Sequence, residues 1–174
     1  MNAATAIFIR YLSPLMLSAA GHGPAEIARV VMLYYLAIVL LSPAMAGLSD
    51  VRFGPVTLVL TGSAAAGLAL LSLGLWSGFW AVTLSVAGLG VGHSFIRAPH
   101  YALALMLAEG GGDLGALRLV ERSSALLGLL LSALFLADIG AESTVTIPGV
   151  AVLTGAAAFG IVELAGRSTP PSAN

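Results

Sequence analysis

The sequence predicts an all-α integral membrane protein with six transmembrane helices, and three observations lead to this fold class. Hydrophobic residues fill 59% of the 174 positions and charged residues only 9%. Soluble domains carry about 25% charged residues, and the mean hydropathy here is +1.01. The apolar residues also form six long stretches, each near the roughly 20 residues that a helix needs to cross a bilayer. We therefore expect no soluble enzyme.

The six apolar stretches follow one another along the chain with short links between them. In order, the predicted helices cover about residues 3–20, 28–48, 56–76, 79–108, 117–137 and 145–164. The links are rich in glycine, proline and acidic residues, which end helices, and they lie at 22–24, 50–55, 77–78, 109–113 and 138–142. Residues 1–166 are thus predicted to form one six-helix domain, and residues 167–174 a short polar tail.

The fourth predicted helix is longer than a bilayer requires. Its 30 or so residues would extend roughly 45 Å at the α-helical rise, so we expect it to protrude or bend. Pro43, Pro99 and Pro148 lie inside predicted spans, where helices in lipid tolerate proline better than soluble helices do.

The arginines predict the orientation of the chain. With the N-terminus inside, the cytoplasmic segments hold or flank Arg52, Arg118, Arg122 and Arg167, whereas only Arg29 lies near the other side. An excess of basic residues in short loops marks the cytoplasmic side. We therefore expect both termini in the cytoplasm and the chain in the inner membrane of a bacterium.

Basic side chains inside the predicted spans are costly in lipid and therefore mark a candidate functional site. Arg10 lies near the middle of the first span. His93, Arg97 and His100 follow at intervals of four and three residues on the fourth span, so they share one helix face. Together with Tyr34 on the second span, Arg10, His93 and Arg97 are our candidate solute-binding residues.

Each of these candidates also has a structural interpretation. Arg10 could pair with Glu121 or with a backbone carbonyl, and His93 could bond a neighbouring helix. Arg97 could extend its charged end to the membrane surface. Tyr34 could be a packing residue.

A second group of charges crowds the start of the fifth predicted helix. It consists of Arg118, Glu121 and Arg122. We interpret this group as a charge cluster at a helix end.

Other chemistries are not expected. The chain has no cysteine, and His93 and His100 are seven residues apart rather than the four of a helical metal pair, so we predict no metal and no cofactor. The net charge of −1 offers no basic field for nucleic acid.

Small residues recur at intervals of four on the third and fourth spans. Such residues let helix backbones approach closely in lipid. The pairs are Gly62 and Ala66, Ser63 and Gly67, and Gly88 and Gly92. We expect close helix packing at these positions, with the fourth span bordering a polar cavity beside His93.

The link between the second and third spans reads Ala46-Gly-Leu-Ser-Asp-Val-Arg-Phe-Gly-Pro55. An acidic residue at a helix end can meet basic side chains or a positive helix end, and glycine permits a tight reversal. With Asp50, Arg52 and Gly54, this segment resembles the loop signature of the major facilitator superfamily. The glycine-rich fourth span with its late proline and the charged start of the fifth are also similar to that family. The closing basic pair of the signature is replaced, as is more typical of the second six-helix half.

The resemblance implies one six-helix half of a secondary transporter, whose solute site lies between two halves. It implies that spans one, two, four and five line the path of a small solute moved by alternating access. The positive groups favour an anionic solute or coupling to protons, because histidine titrates near neutral pH. Since the chain supplies one half, we expect either a homodimer or a separate second half.

Two other interpretations remain open. The same six helices could serve, without transport, as the membrane anchor or sensory module of a larger signalling protein. An intramembrane enzyme or a channel is a third interpretation, although the sequence has no Gly-x-Ser-Gly element and no pair of Asn-Pro-Ala motifs.

Overall fold

The first described elements of the chain are all helical. The computed structural model describes residues 8–76, 78–107 and 111–168. A π-helical turn, Phe8–Leu12, leads into helix α1, Ser13–Ala19. Helix α2 then covers Pro24–Leu48.

The later elements are helical as well, so the all-helical prediction is confirmed for the described residues. A second π-helical turn, Ser49–Phe53, joins α2 to α3, Gly54–Leu75. Helix α4 covers Phe79–Leu107 without interruption, including its internal proline. Helix α5 covers Gly111–Ser168 and is broken at Gly140, where φ is 78° and ψ is 168°.

Three of these helices are long and apolar enough to cross a membrane. They cover Pro24–Leu48, Gly54–Leu73 and Phe79–Leu103. A helix satisfies its own backbone hydrogen bonds, which lets an apolar stretch lie in lipid. Beyond the break in α5, Thr146–Val162 forms a shorter apolar helix. Three helices that could span a membrane are thus present, whereas the number six and the half-transporter arrangement remain predictions.

Helix α2 begins four residues earlier than the sequence predicted. Pro24 occupies a first-turn position, where its fixed φ suits a helix and its missing N–H is not needed. The Gly23 backbone N–H donates to Glu26 Oε2 at 3.4 Å, and His22 Nδ1 lies 3.0 Å from the same oxygen. Glu26, which resembled a residue of the polar link, therefore belongs to the first helical turn.

Every described reversal between helices contains a glycine with positive φ. These angles are 86° at Gly21, 70° at Gly54, 105° at Gly78 and 78° at Gly140. Residues with a Cβ atom rarely adopt such angles, so glycine is required at each reversal. The sequence predicted that residues 50–55 form a link outside the helices, which is wrong for its first part. The chain stays helical to Phe53 and changes direction at Gly54.

Helix α4 lies between α2 and α3 and makes its main contacts with both of them. Its side chains Val86 and Leu89 are fully buried in a core that also contains Phe8 and Ile9 from the π-helical turn before α1. Helix α5 packs mainly on α3. Because burial in lipid gives helices little hydrophobic drive to associate, this arrangement depends on close packing and on hydrogen bonds between helices.

One end of the bundle is marked by aromatic side chains. The rings of His22 and Phe79 lie 4.6 Å apart, which places the α1–α2 link and the start of α4 at the same end. Trp76 and Trp80 flank the α3–α4 turn there, and both are exposed. Tryptophan is enriched where a membrane meets water.

We expect this aromatic end to lie at the lipid headgroup level. The chain contains only two tryptophans, Trp76 and Trp80, so its tryptophan fluorescence, excited selectively, reports on this end alone. In bilayers of brominated lipids, bromine near the acyl carbonyls should quench the fluorescence more than bromine near the chain ends. Stronger quenching from the chain ends would place the turn deep in the bilayer and contradict the spans of α3 and α4.

Candidate functional site

The site is built on an unusually close approach of α2 and α4. A methyl group added at Gly90 would lie 2.8 Å from the backbone oxygen of Tyr34 and 2.9 Å from Ala37 Cβ. Real Cβ atoms do not approach other atoms so closely, so only glycine fits at this contact. The two backbones are therefore in direct contact beside Tyr34.

Helix α4 approaches α3 equally closely through its other glycines. A methyl group at Gly92 would lie 2.7 Å from the Gly62 oxygen and 2.8 Å from the Ala66 nitrogen, and one at Gly88 would lie 3.0 Å from Ala69 Cβ. Gly62 and Ala66 of the third span thus meet Gly92 of the fourth, whereas Gly67 packs against Leu153 and Gly149 of α5. Gly90 packs on the α2 side of α4, which the four-residue spacing did not indicate.

Tyr34 and His93 meet at the α2–α4 contact. The Tyr34 hydroxyl lies 3.0 Å from His93 Nδ1, and the two rings are perpendicular with centroids 5.8 Å apart. The Tyr34 side chain is only 7% exposed, and the ring of Tyr35 packs edge-on against it at 5.0 Å. Two residues proposed from the sequence, 59 positions apart, are thereby joined by one hydrogen bond.

Ser94 reinforces the same contact and was missed in the sequence. It is fully buried, and its hydroxyl lies 3.1 Å from the Ala37 oxygen on α2 and 2.7 Å from the Gly90 oxygen on its own helix. A hydrogen bond between helices is a main source of association in lipid. In the sequence, the only sign of this role of Ser94 is that its hydroxyl directly follows His93 in an apolar run.

Arg10 and Arg97 belong to the surroundings of the Tyr34–His93 pair. Both arginines are exposed, and their guanidinium charges interact electrostatically with the Tyr34 hydroxyl. Arg10 is carried by the π-helical turn before α1, and Arg97 lies one turn beyond His93 on α4. The proposed partner of Arg10, the Glu121 side chain, lies outside the described part of the structure.

The four candidate binding residues therefore come from three segments. Tyr34 and His93 are in direct contact, and the two exposed guanidinium groups lie within electrostatic range of the Tyr34 hydroxyl. Together they offer a hydroxyl, an imidazole and two guanidinium groups, which suit the binding of a small polar molecule.

The residues of the predicted loop motif lie away from this region, at the junction of α2 and α3. Arg52 is exposed on the π-helical turn, and Gly54 adopts the positive φ that the reversal needs. The side chain of Asp50 lies outside the described residues.

The predicted cluster at the start of the fifth span has an aromatic partner. The Arg118 guanidinium carbon lies 4.5 Å from the centroid of the Tyr101 ring, at a distance where a cation is attracted to the ring face. The His100 ring lies 5.7 Å from the same ring. Arg122 is exposed, and the Glu121 side chain is not described. Tyr101 carried no signal in the sequence that would have linked it to Arg118.

Other features of the described residues do not form a polar site. No group of three or more His, Asp or Glu side chains among them could hold a metal ion. A groove of about 230 Å³ between α3 and the later part of α5 is lined by small and apolar residues, including Ser63, Gly155 and Phe159. None of the four candidate binding residues lines it.

Comparison with known proteins does not assign the chain to a family. No family model matches the chain, and no curated protein or solved structure matches it either. The resemblance to the major facilitator superfamily remains a prediction that rests on the residues quoted above.

Proposed function

We propose that the chain is one half, or one subunit, of a secondary transporter that moves a small solute across the membrane by alternating access. The solute binds at the region formed by Arg10, Tyr34, His93 and Arg97. The observation that carries this proposal is the Tyr34–His93 hydrogen bond at the α2–α4 contact, with two exposed guanidinium groups within electrostatic range of the Tyr34 hydroxyl.

The cost of these groups in lipid supports the proposal. A charged side chain at the centre of a bilayer costs at least about 2.5–3.5 kcal/mol on the lowest insertion scales, so it is retained where it has a task. Arg10 and Arg97 are both exposed on the isolated chain. A water-filled path along α1, α2 and α4 gives them a polar environment.

A second six-helix unit completes the path in this proposal. The exposed residues of the isolated chain include Arg10, Arg97 and Tyr35 together with many apolar side chains. Contact with another half removes the charged groups from lipid. The second half is either another copy of the chain or a separate protein.

Thiol labelling tests this path directly, because the natural chain contains no cysteine. Tyr35 and Leu68 are suitable positions, with exposed fractions of 48% and 61% on the isolated chain. Tyr35 packs against Tyr34, whereas Leu68 lies on the outer side of α3. Single-cysteine variants Tyr35→Cys and Leu68→Cys are treated, in sealed vesicles of either orientation, with a maleimide that cannot cross the membrane.

Alternating access predicts that Tyr35→Cys reacts from both sides of the membrane and that Leu68→Cys reacts only after denaturation. Equal protection of both cysteines would place Tyr35 in lipid and favour the membrane-anchor interpretation. Reaction of Tyr35→Cys from one side only would contradict alternating access and leave a fixed cavity.

A further inference from the structure

The hydrogen bond between Tyr34 and His93 can exist in two directions. The Tyr34 oxygen and His93 Nδ1 lie 3.0 Å apart, and each atom can serve as donor or acceptor. A neutral imidazole with its hydrogen on Nε2 accepts at Nδ1, whereas a protonated imidazole donates there. The protonation of His93 therefore decides in which direction the Tyr34 hydrogen points.

We propose that this pair couples the uptake of one proton at His93 to the binding of one carboxylate anion beside Tyr34, Arg10 and Arg97. The inference rests on the proposed transport function and names its solute class and its coupling ion. A proton and a monoanion then enter the site together.

The proposed proton uptake and reversal of the hydrogen bond balance in atoms and in charge. In the neutral pair, the Tyr34 hydroxyl donates its hydrogen to the lone pair on His93 Nδ1. A proton from the aqueous phase then occupies Nδ1, which becomes the donor, and the Tyr34 oxygen becomes the acceptor. The hydroxyl hydrogen turns away from His93 and is donated to a carboxylate oxygen. The site gains one positive and one negative charge.

The surrounding charges make the two events depend on each other. Arg10 on the segment before α1 and Arg97 on α4 both act on the Tyr34 hydroxyl, which contacts His93, so a third positive charge on His93 is unfavourable there. An anion removes this repulsion and is itself held more strongly once His93 is charged. Such mutual dependence is a coupling free energy, which acts equally in both directions.

The other helices around the pair contribute little titratable chemistry. Helix α2 contributes Tyr35 in addition to Tyr34, and α3 contains no titratable side chain. Helix α5 carries charged residues including Arg118, Glu121 and Arg122, and the Glu121 side chain lies outside the described residues. Within the described part, His93 is the group hydrogen-bonded to Tyr34 whose residue type is the usual proton acceptor near neutral pH.

The test follows the His93 imidazole by NMR in the full chain, labelled at histidine and held in lipid nanodiscs. The chain has three histidines, and the His93 signal is the one that disappears in His93→Gln. The pH at its titration midpoint is measured in sodium acetate, in sodium chloride of equal ionic strength, and in chloride with acetamide. Acetate is the minimal carboxylate, and acetamide is its neutral counterpart of similar shape.

We expect acetate to raise the midpoint by about half a pH unit or more, which corresponds to about a threefold preference of acetate for the protonated chain. Chloride and acetamide should leave the midpoint where it is. An unchanged midpoint in acetate would overturn the inference.

Variants separate the parts of the site. Tyr34→Phe keeps the ring packed and removes the hydroxyl, and it should reduce the acetate effect, as should Arg97→Gln. His100→Gln is the matched control on the same helix and should retain the full effect. An undiminished effect in Tyr34→Phe would refute the role of the hydroxyl. If Tyr35→Cys is labelled from both sides while acetate has no effect, transport stands and proton coupling at His93 fails.

Discussion

Replacing Gly92 by alanine is expected to destabilise the packing of α3 against α4 by about 3 kcal/mol, the upper part of the usual range for overpacking. The new methyl group would lie 2.7 Å from the Gly62 oxygen and 2.8 Å from the Ala66 nitrogen. These are backbone atoms, so no side-chain rotation can relieve the overlap. The two helices must move apart along their contact.

The measurement is the thermal midpoint of the purified protein in mild detergent, followed by the loss of its folded peak in size-exclusion chromatography. Gly47→Ala is the matched control, because a methyl group at this exposed helical position would meet nothing within 4 Å. It should be neutral or slightly stabilising, since alanine favours a helix over glycine. Equal midpoints for Gly92→Ala and Gly47→Ala would show that the α3–α4 contact is looser than described.

Gly90→Ala is expected to have the larger effect on the site. Its methyl group would lie 2.8 Å from the backbone oxygen of Tyr34 and 3.0 Å from the Tyr34 Cα atom, so α2 must shift at this residue. The shift separates the Tyr34 hydroxyl from His93. We expect a loss of about 2 kcal/mol in stability together with loss of the acetate effect on His93.

The comparison for this variant is Gly88→Ala, two residues earlier on the same helix. There the added methyl would meet only Ala69 Cβ at 3.0 Å, on the α3 side. Gly88→Ala should cost less stability and leave His93 unchanged. If both alanine variants changed the His93 signal alike, a general loosening of α4, rather than its contact with Tyr34, would be the cause.

The helical class and most helix limits could be predicted because they depend on local chemistry. Apolar stretches of sufficient length form helices in lipid, and glycine marks the reversals at Gly54, Gly78 and Gly140. The start of α2 was predicted too late, because Glu26 reads as a polar link residue until its hydrogen bond to the Gly23 backbone is seen. The turn at 49–53 was also misjudged, since its polar composition does not reveal that it remains helical.

The candidate residues of the site could be selected from the sequence, but the contacts between them could not. Tyr34 and His93 were candidates because polar groups are costly in lipid, yet their hydrogen bond depends on how closely α2 and α4 approach. That approach is set by Gly90, which faces α2, whereas Gly88 and Gly92 face α3. The sequence alone does not distinguish the three glycines. Ser94 was missed because a single hydroxyl in an apolar helix does not indicate which helix it faces.

The glycine contacts on both sides of α4 have a mechanical consequence. At Gly90 and Gly92 no side chain separates α4 from its two neighbours, because the backbones themselves touch there. Tightly packed interfaces of this kind are stiff and transmit strain instead of absorbing it. A displacement of α4 is therefore transmitted to α2 and α3 at these contacts. The joints at Gly54 and Gly78 lie within this group of three helices, so the same glycine contacts resist bending there, whereas the joint at Gly21 connects the group to α1.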